Sequence, residues 1–171
     1  MSQFTCIAPM IDGGTGNTVY MNTQAAEDNG YTSRSPLRII GEKNSTVAVL
    51  NYDPNIPYDS VGLGPTLRIN AQINEGDSVE MAQLKVHGPF LKVRIQPTTR
   101  SLEEQEIPLV KAAIRDLYLS KDDHFTVSLN GEPLELQVTR CRPQHGWLTP
   151  DVVLEIIGKK SRRSIIDVPA V

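Results

Sequence analysis

Ile73-Asn74-Glu75-Gly76-Asp77-Ser78-Val79-Glu80-Met81 is the stretch whose reading decides the fold. Asn74, Glu75 and Gly76 turn the chain, Asp77 stays in water, and Val79 and Met81 share one face of a strand. A second stretch, Leu119-Ser120-Lys121-Asp122-Asp123-His124-Phe125-Thr126-Val127, repeats the pattern. A polar turn feeding a short strand is how a small closed β-barrel restarts a strand. Two such turns in two halves of one chain predict two small β-rich barrels rather than one α/β domain of enzyme size.

The surrounding sequence agrees with a β-rich reading. Twelve glycines and twelve prolines divide 171 residues into short pieces with β-branched runs between them. Residues 1–16 end in Asp12-Gly13-Gly14-Thr15-Gly16 and read as a flexible N-terminus. A first strand is expected over Asn17–Met21. Leu37–Ile40 and Thr46–Leu50 flank the polar Gly41-Glu42-Lys43-Asn44 and read as a hairpin. Asn51–Pro57 is a loop. Thr66–Ile69 and Val79–Met81 read as short strands, and Phe90–Ile95 alternates as a half-buried strand. The one helix is expected over Ile107–Tyr118, with Leu109, Val110, Ala113, Ile114 and Leu117 on one face and Pro108 in its first turn. Phe125–Leu129 and Leu134–Val138 flank Asn130-Gly131, the strongest turn signal in the chain, and Val152–Ile156 is a last strand. The expected organisation is a barrel over 17–85, a junction over 86–98, a smaller barrel with the helix over 99–158, and a tail over 159–171.

Composition narrows the function. The chain is 39% hydrophobic and 22% charged with a net charge of −3, which suits a folded protein and disfavours a nucleic-acid-binding one. Lys159, Lys160, Arg162 and Arg163 form one basic run, most simply a solvated tail. Residues 1–10 lack the charge and apolar pattern of a signal peptide, no run reaches membrane-spanning length, and Cys6 and Cys141 demand no bridge. The expected compartment is therefore the cytosol or nucleus.

Catalytic sets are not legible. Asp12–Thr18 has the glycines and threonines of a phosphate cradle but no lysine of a P-loop, so a flexible linker is the simpler reading. Cys141 and His145 are four apart, too few ligands for zinc without partners elsewhere. Glu103-Glu104 suits a helix N-terminus, and Asp122-Asp123 a wet turn. No metal, cofactor or catalytic group is expected. Trp147, in Pro143–Pro150, is either an exposed anchor for a partner or, more simply, a plug of the second barrel.

The order of these pieces resembles the N-terminal domain of AAA ATPases of the valosin-containing-protein type. That domain is a double-psi β-barrel followed by a smaller β-barrel with a helix. The likeness covers about Asn17–Ile156. Val61–Asp77 fills the place of the family's segment that closes the first barrel. Val93-Arg94-Ile95-Gln96-Pro97 matches a strand ending in proline. Lys121-Asp122-Asp123 matches the turn after the helix, and Thr149-Pro150-Asp151-Val152-Val153 the opening of the last strand. Gly64-Pro65-Thr66 departs from the family's arginine-asparagine-asparagine, and Asp122 replaces a glycine. The ubiquitin-fusion-degradation adaptor and the fusion ATPase that acts on SNARE complexes carry similar tandem barrels.

The resemblance implies recognition rather than catalysis. In the family, adaptors with ubiquitin-like domains or short arginine-rich helices, and ubiquitin itself, dock in the cleft between the barrels. Carried over by position, Arg34, Ile39, Val49 and Leu50 line the first barrel's wall. Pro89 and Phe90 sit at the junction, and Asp116 and Tyr118 lie on the second barrel. The implied protein is a non-catalytic module of a ubiquitin-linked unfoldase, monomeric alone and hexameric as part of an ATPase ring. A double-psi-barrel enzyme for small molecules is the alternative. Its pyruvoyl form needs a Gly-Ser bond, and the chain has no Gly-Ser dipeptide. An unrelated interaction module of the same fold is a third reading.

Overall fold

The computed structural model describes residues 2–9, 17–84 and 87–159. The chain divides into two compact units, Met1–His87 and Gly88–Val171. The expected junction over 86–98 is therefore not a connector: Pro89, Phe90 and the strand Lys92–Pro97 belong to the second unit. The glycine-rich Asp12–Gly16 and most of the basic tail lie outside the described residues.

The first unit holds β1 (Ser2–Ile7), β2 (Thr18–Met21), α1 (Thr23–Asp28), β3 (Pro36–Ile40), β4 (Ser45–Tyr52), β5 (Ser60–Leu63), α2 (Pro65–Ala71) and β6 (Ser78–Gln83). Its six strands close into a barrel in the order β1-β5-β2-β4-β3-β6. β1 with β5 and β2 with β4 run parallel, and the other neighbours run antiparallel. Alternation fills the barrel: Phe4 and Cys6, Leu37 and Ile39, Val79 and Met81 are buried on successive strands. Burying each of the larger side chains stabilises the fold by about 1.5–3 kcal/mol. The hairpin expected around Gly41–Asn44 forms, with Leu37 opposite Ala48 and Ile39 opposite Thr46.

Three local expectations change. Ser2–Ile7, expected to be flexible, is a barrel strand between β5 and β6. Its alternation over Phe4 and Cys6 is short, and the glycines that follow mask it. Thr66–Ile69 is helical rather than extended. Gly64 and Pro65 start that helix, and Leu67 and Ala71, one turn apart, are its buried face. Its end is a Schellman turn: the Ile73 N–H donates to the Arg68 carbonyl at 2.9 Å and the Gln72 N–H to that of Ile69 at 3.2 Å. The unexpected helix α1 is started by Asn22, whose side chain accepts the Ala25 N–H at 3.1 Å, and buries only Ala25 and Ala26. Alanines carry little periodic signal, so a helix this short is hidden in the sequence.

The second unit holds β7 (Lys92–Pro97), α3 (Ile107–Ala113), β8 (Tyr118–Ser120), β9 (His124–Leu129), β10 (Glu132–Arg142), β11 (His145–Trp147) and β12 (Val153–Ile156). It is a four-stranded sheet, β12-β7-β10-β9, with a separate two-stranded sheet, β11-β8. Its core gathers Phe90, Val93, Ile95, Val110, Ile114, Phe125, Leu136 and Val138. Asn130 and Gly131, at φ 52° and 83°, make the expected hairpin between β9 and β10. The helix is shorter than Ile107–Tyr118. It stops at Ala113, because Asp116 turns left-handed at φ 66° and gives its N–H to Leu148 at 2.9 Å. Leu117 then leads into β8. Glu103 and Glu106 form a reciprocal capping box on the 3-10 turn before α3, so the acids sit where the helix start favours them.

The turns at Asn74–Asp77 and Ser120–Asp123 are one device used twice. Gly76 and Asp122 are both left-handed, at φ 90° and 64°. In each turn the aspartate that follows accepts a backbone N–H three residues back: Asp77 from Asn74 at 2.9 Å, Asp123 from Ser120 at 3.0 Å. In each, the same aspartate's N–H returns to that residue's carbonyl at 3.1 Å. Each turn is also clamped to a neighbouring strand by a reciprocal pair. Cys6 accepts from Gly76 at 2.8 Å and donates to Asp77 at 2.9 Å, and Val138 makes the corresponding bonds with Asp122 and Asp123 at 3.0 Å each.

Candidate functional site

Of the eight residues expected to contact a partner, four have no free side-chain surface. Ile39 and Leu50 are buried in the barrel core, and Phe90 is buried in the core of the second unit. Tyr118 is buried as well, edge-on to Trp147 with ring centroids 4.8 Å apart and hydrogen-bonded through its hydroxyl to His145 Nδ1. Arg34, Pro89 and Asp116 are exposed, and Val49 is half-buried.

In the first unit the structure brings Arg34 and Val49 together. The Arg34 N–H donates to the Leu50 carbonyl at 2.7 Å, and the Leu50 N–H to Ser35 at 2.9 Å. Pro36 lies opposite Val49. Ile39 stands apart, at the far end of the same hairpin opposite Thr46. Arg34 is held at φ 64°, a conformation that costs a non-glycine residue about 1–2 kcal/mol. Such strain is often kept where a side chain must be aimed. Asp116, on the second unit, is left-handed in the same way.

A second feature of the first unit is a hollow of about 750 Å³ beside the Asn74–Asp77 turn. Gln3, Glu42, Lys43, Gln72, Asp77 and Glu80 give it a polar lining, and Ile40 and Ile73 its apolar floor. Gln72 and Ile73 also line a neighbouring hollow of about 660 Å³ with Arg68, Ile69 and Glu75, where Arg68 and Glu75 pair at 3.3 Å. The turn residues were legible in the sequence. Gln3 was not, because its strand was read as flexible, and Gln72 was not, because its helix was read as a strand.

Trp147 lies on β11, half-buried against Tyr118. Its N–H donates to Gly88 at 2.9 Å and its carbonyl accepts from Phe90 at 3.0 Å. The tryptophan therefore pins the start of the second unit.

Burial and local pairing shift several titratable groups. Burial raises both thiols, Cys6 and Cys141, to about 11, so both are protonated and poor nucleophiles at neutral pH. Burial also lowers His124, against the opposing pull of Glu135 3.5 Å away. The Arg100 guanidinium, with the Glu103 N–H, holds Glu106 at about 2. Among the described residues no group of three or more His, Cys, Asp or Glu side chains is placed to hold a metal ion. Among them, too, no helix is long and apolar enough to cross a membrane. No protein-family model matches the chain, and no curated protein matches its sequence.

Proposed function

We propose that the chain is a non-catalytic protein-binding module, of the kind that recruits adaptors or ubiquitinated substrates to an AAA unfoldase. On this reading the first unit is a double-psi barrel and the second its smaller companion. A closed six-stranded barrel with two parallel strand pairs, and a turn repeated bond for bond in both units, supports that assignment.

The observation that carries the function is Arg34. It is an exposed cation in a left-handed turn, clamped to the strand that presents half-buried Val49. An exposed guanidinium carried on a fixed backbone turn, next to the strand that presents an apolar side chain, suits a partner that offers a carboxylate next to an apolar residue. The residue whose conformation costs stability is then the residue that binds.

Arg34→Gly separates the two roles. It relieves the backbone and removes the guanidinium. In NMR titrations with a ubiquitin-like domain, wild-type shifts are expected to cluster at Arg34 and Val49. Arg34→Gly is expected to weaken binding by about 1–2 kcal/mol, roughly 5–30-fold, with no loss of stability. Shifts scattered over the surface, or binding unchanged by Arg34→Gly, would overturn the assignment.

A further inference from the structure

One face of the second unit's sheet carries a charge pattern that its own stability disfavours. Lys92 stands directly opposite Arg142, and Arg94 directly opposite Arg140, on adjacent antiparallel strands. Like charges in directly opposed positions destabilise a sheet. On the other side of β7, Val153 is level with Lys92 and Glu155 with Arg94. Glu155 pairs with Arg94 at 2.9 Å. Four cations therefore face one carboxylate on these two rows, in a chain whose net charge is −3.

The same face has an apolar border. Leu91 is 65% exposed and Val153 61% exposed, the two most open large apolar side chains among the described residues. Leu91, Lys92, Arg94, Arg140, Cys141 and Arg142 surround a hollow of about 400 Å³. Lys92 and Arg94 are two residues apart on one strand, as are Arg140 and Arg142 on the next. Alternate residues of a strand repeat about every 6.6 Å. An extended peptide with acids at every second position has the same repeat.

We infer that the outer face of β7 and β10 is a docking site for an acidic, extended peptide with carboxylates at alternate positions and an apolar side chain to cover Leu91 and Val153. Arg140 and Arg142 take carboxylates through two-pronged hydrogen bonds, and Lys92 supplies a point charge. Arg94 is already partly neutralised by Glu155. Exposed Leu91 and Val153 need an apolar side chain to cover them, which an acidic peptide carries and a phosphodiester backbone does not, so a peptide fits better than a nucleic-acid strand. The site is distinct from Arg34, and either assignment can fail without the other.

The test uses the full chain and a fluorescein-labelled peptide, Gly-Ser-Glu-Ser-Glu-Ser-Leu-Ser-Gly, whose two acids and leucine share one face of an extended chain, read by anisotropy. The glutamine counterpart and a labelled oligothymidylate are the comparison probes. Saturable binding below about 1 mM is expected, weakening as salt rises. The double variant R140E/R142E is expected to bind at least about tenfold more weakly, and Leu91→Ser about threefold. Lys92→Gln, a milder change, is expected to weaken binding about twofold to fivefold, and Trp147 fluorescence verifies that each variant is folded. No saturation, equal binding of the glutamine peptide, indifference to R140E/R142E, or tighter binding of the oligothymidylate would each overturn the proposal.

Discussion

Gly76→Ala tests the reasoning about the paired turns most directly. Gly76 sits at φ 90°, and a Cβ built on it meets no atom within 4 Å. The substitution therefore creates no clash, and its cost is conformational alone. Placing an L-residue in left-handed backbone costs about 1–2 kcal/mol. Alanine also restricts the unfolded chain, which offsets about 0.4–1 kcal/mol of that. The expected net loss is about 1 kcal/mol. Asp122 fills the corresponding position at φ 64° with a residue that tolerates it better, so Asp122→Gly should shift stability by no more than about 0.5 kcal/mol. The aspartate that follows should rank by burial. Asp123 is buried and Asp77 exposed, so Asp123→Ala should cost about 1.5–3 kcal/mol and Asp77→Ala about 0.5–1 kcal/mol. Each unit has its own probe. The only tryptophan, Trp147, follows urea unfolding of the second unit. For the first, hydrogen exchange of the Cys6 amide is the reporter, since that N–H is bonded to Asp77. If Gly76→Ala leaves Cys6 exchange unchanged, or slows it, the turn does not need left-handed backbone. The matched-turn account then fails.

Two further outcomes are expected. His124 is lowered from 6.5, so the unfolded chain takes up a proton first as the pH falls. The second unit should therefore lose stability as pH drops below 6.5 toward the lowered value, and keep it above. His124→Gln should flatten that part of the profile, measured as the urea midpoint of Trp147 fluorescence at pH 7 and pH 5. Gly146→Ala should destabilise the second unit by about 2 kcal/mol or more, because the new Cβ would lie 2.8 Å from the Phe90 backbone nitrogen, which cannot yield as a flexible side chain can. The same fluorescence midpoint measures it, and an unchanged midpoint would mean that β11 is not held against Gly88–Phe90.

The sequence alone determined the strands whose signal is local. Alternation placed Val79 and Met81 inside, Asn130-Gly131 placed a hairpin, and the polar-Gly-Asp pattern placed both turns, because period and turn chemistry act over a few residues. It misjudged Thr66–Ile69, where β-branched residues suggested a strand and the Gly64-Pro65 start with buried Leu67 and Ala71 made a helix instead. It misjudged Ser2–Ile7 as well, because that strand exists only by pairing with β5 and β6 from far along the chain. The candidate sites divide the same way. Which residues carry charge was legible, but the positions carried over from the resemblance took no account of packing, so Ile39, Leu50, Phe90 and Tyr118 were expected at a surface although they are buried. Only the register of β7, β10 and β12 sets Lys92 against Arg142 and Arg94 against Arg140. In the sequence those residues are two short, separate runs; hydrogen-bonded pairing across the sheet makes them one surface.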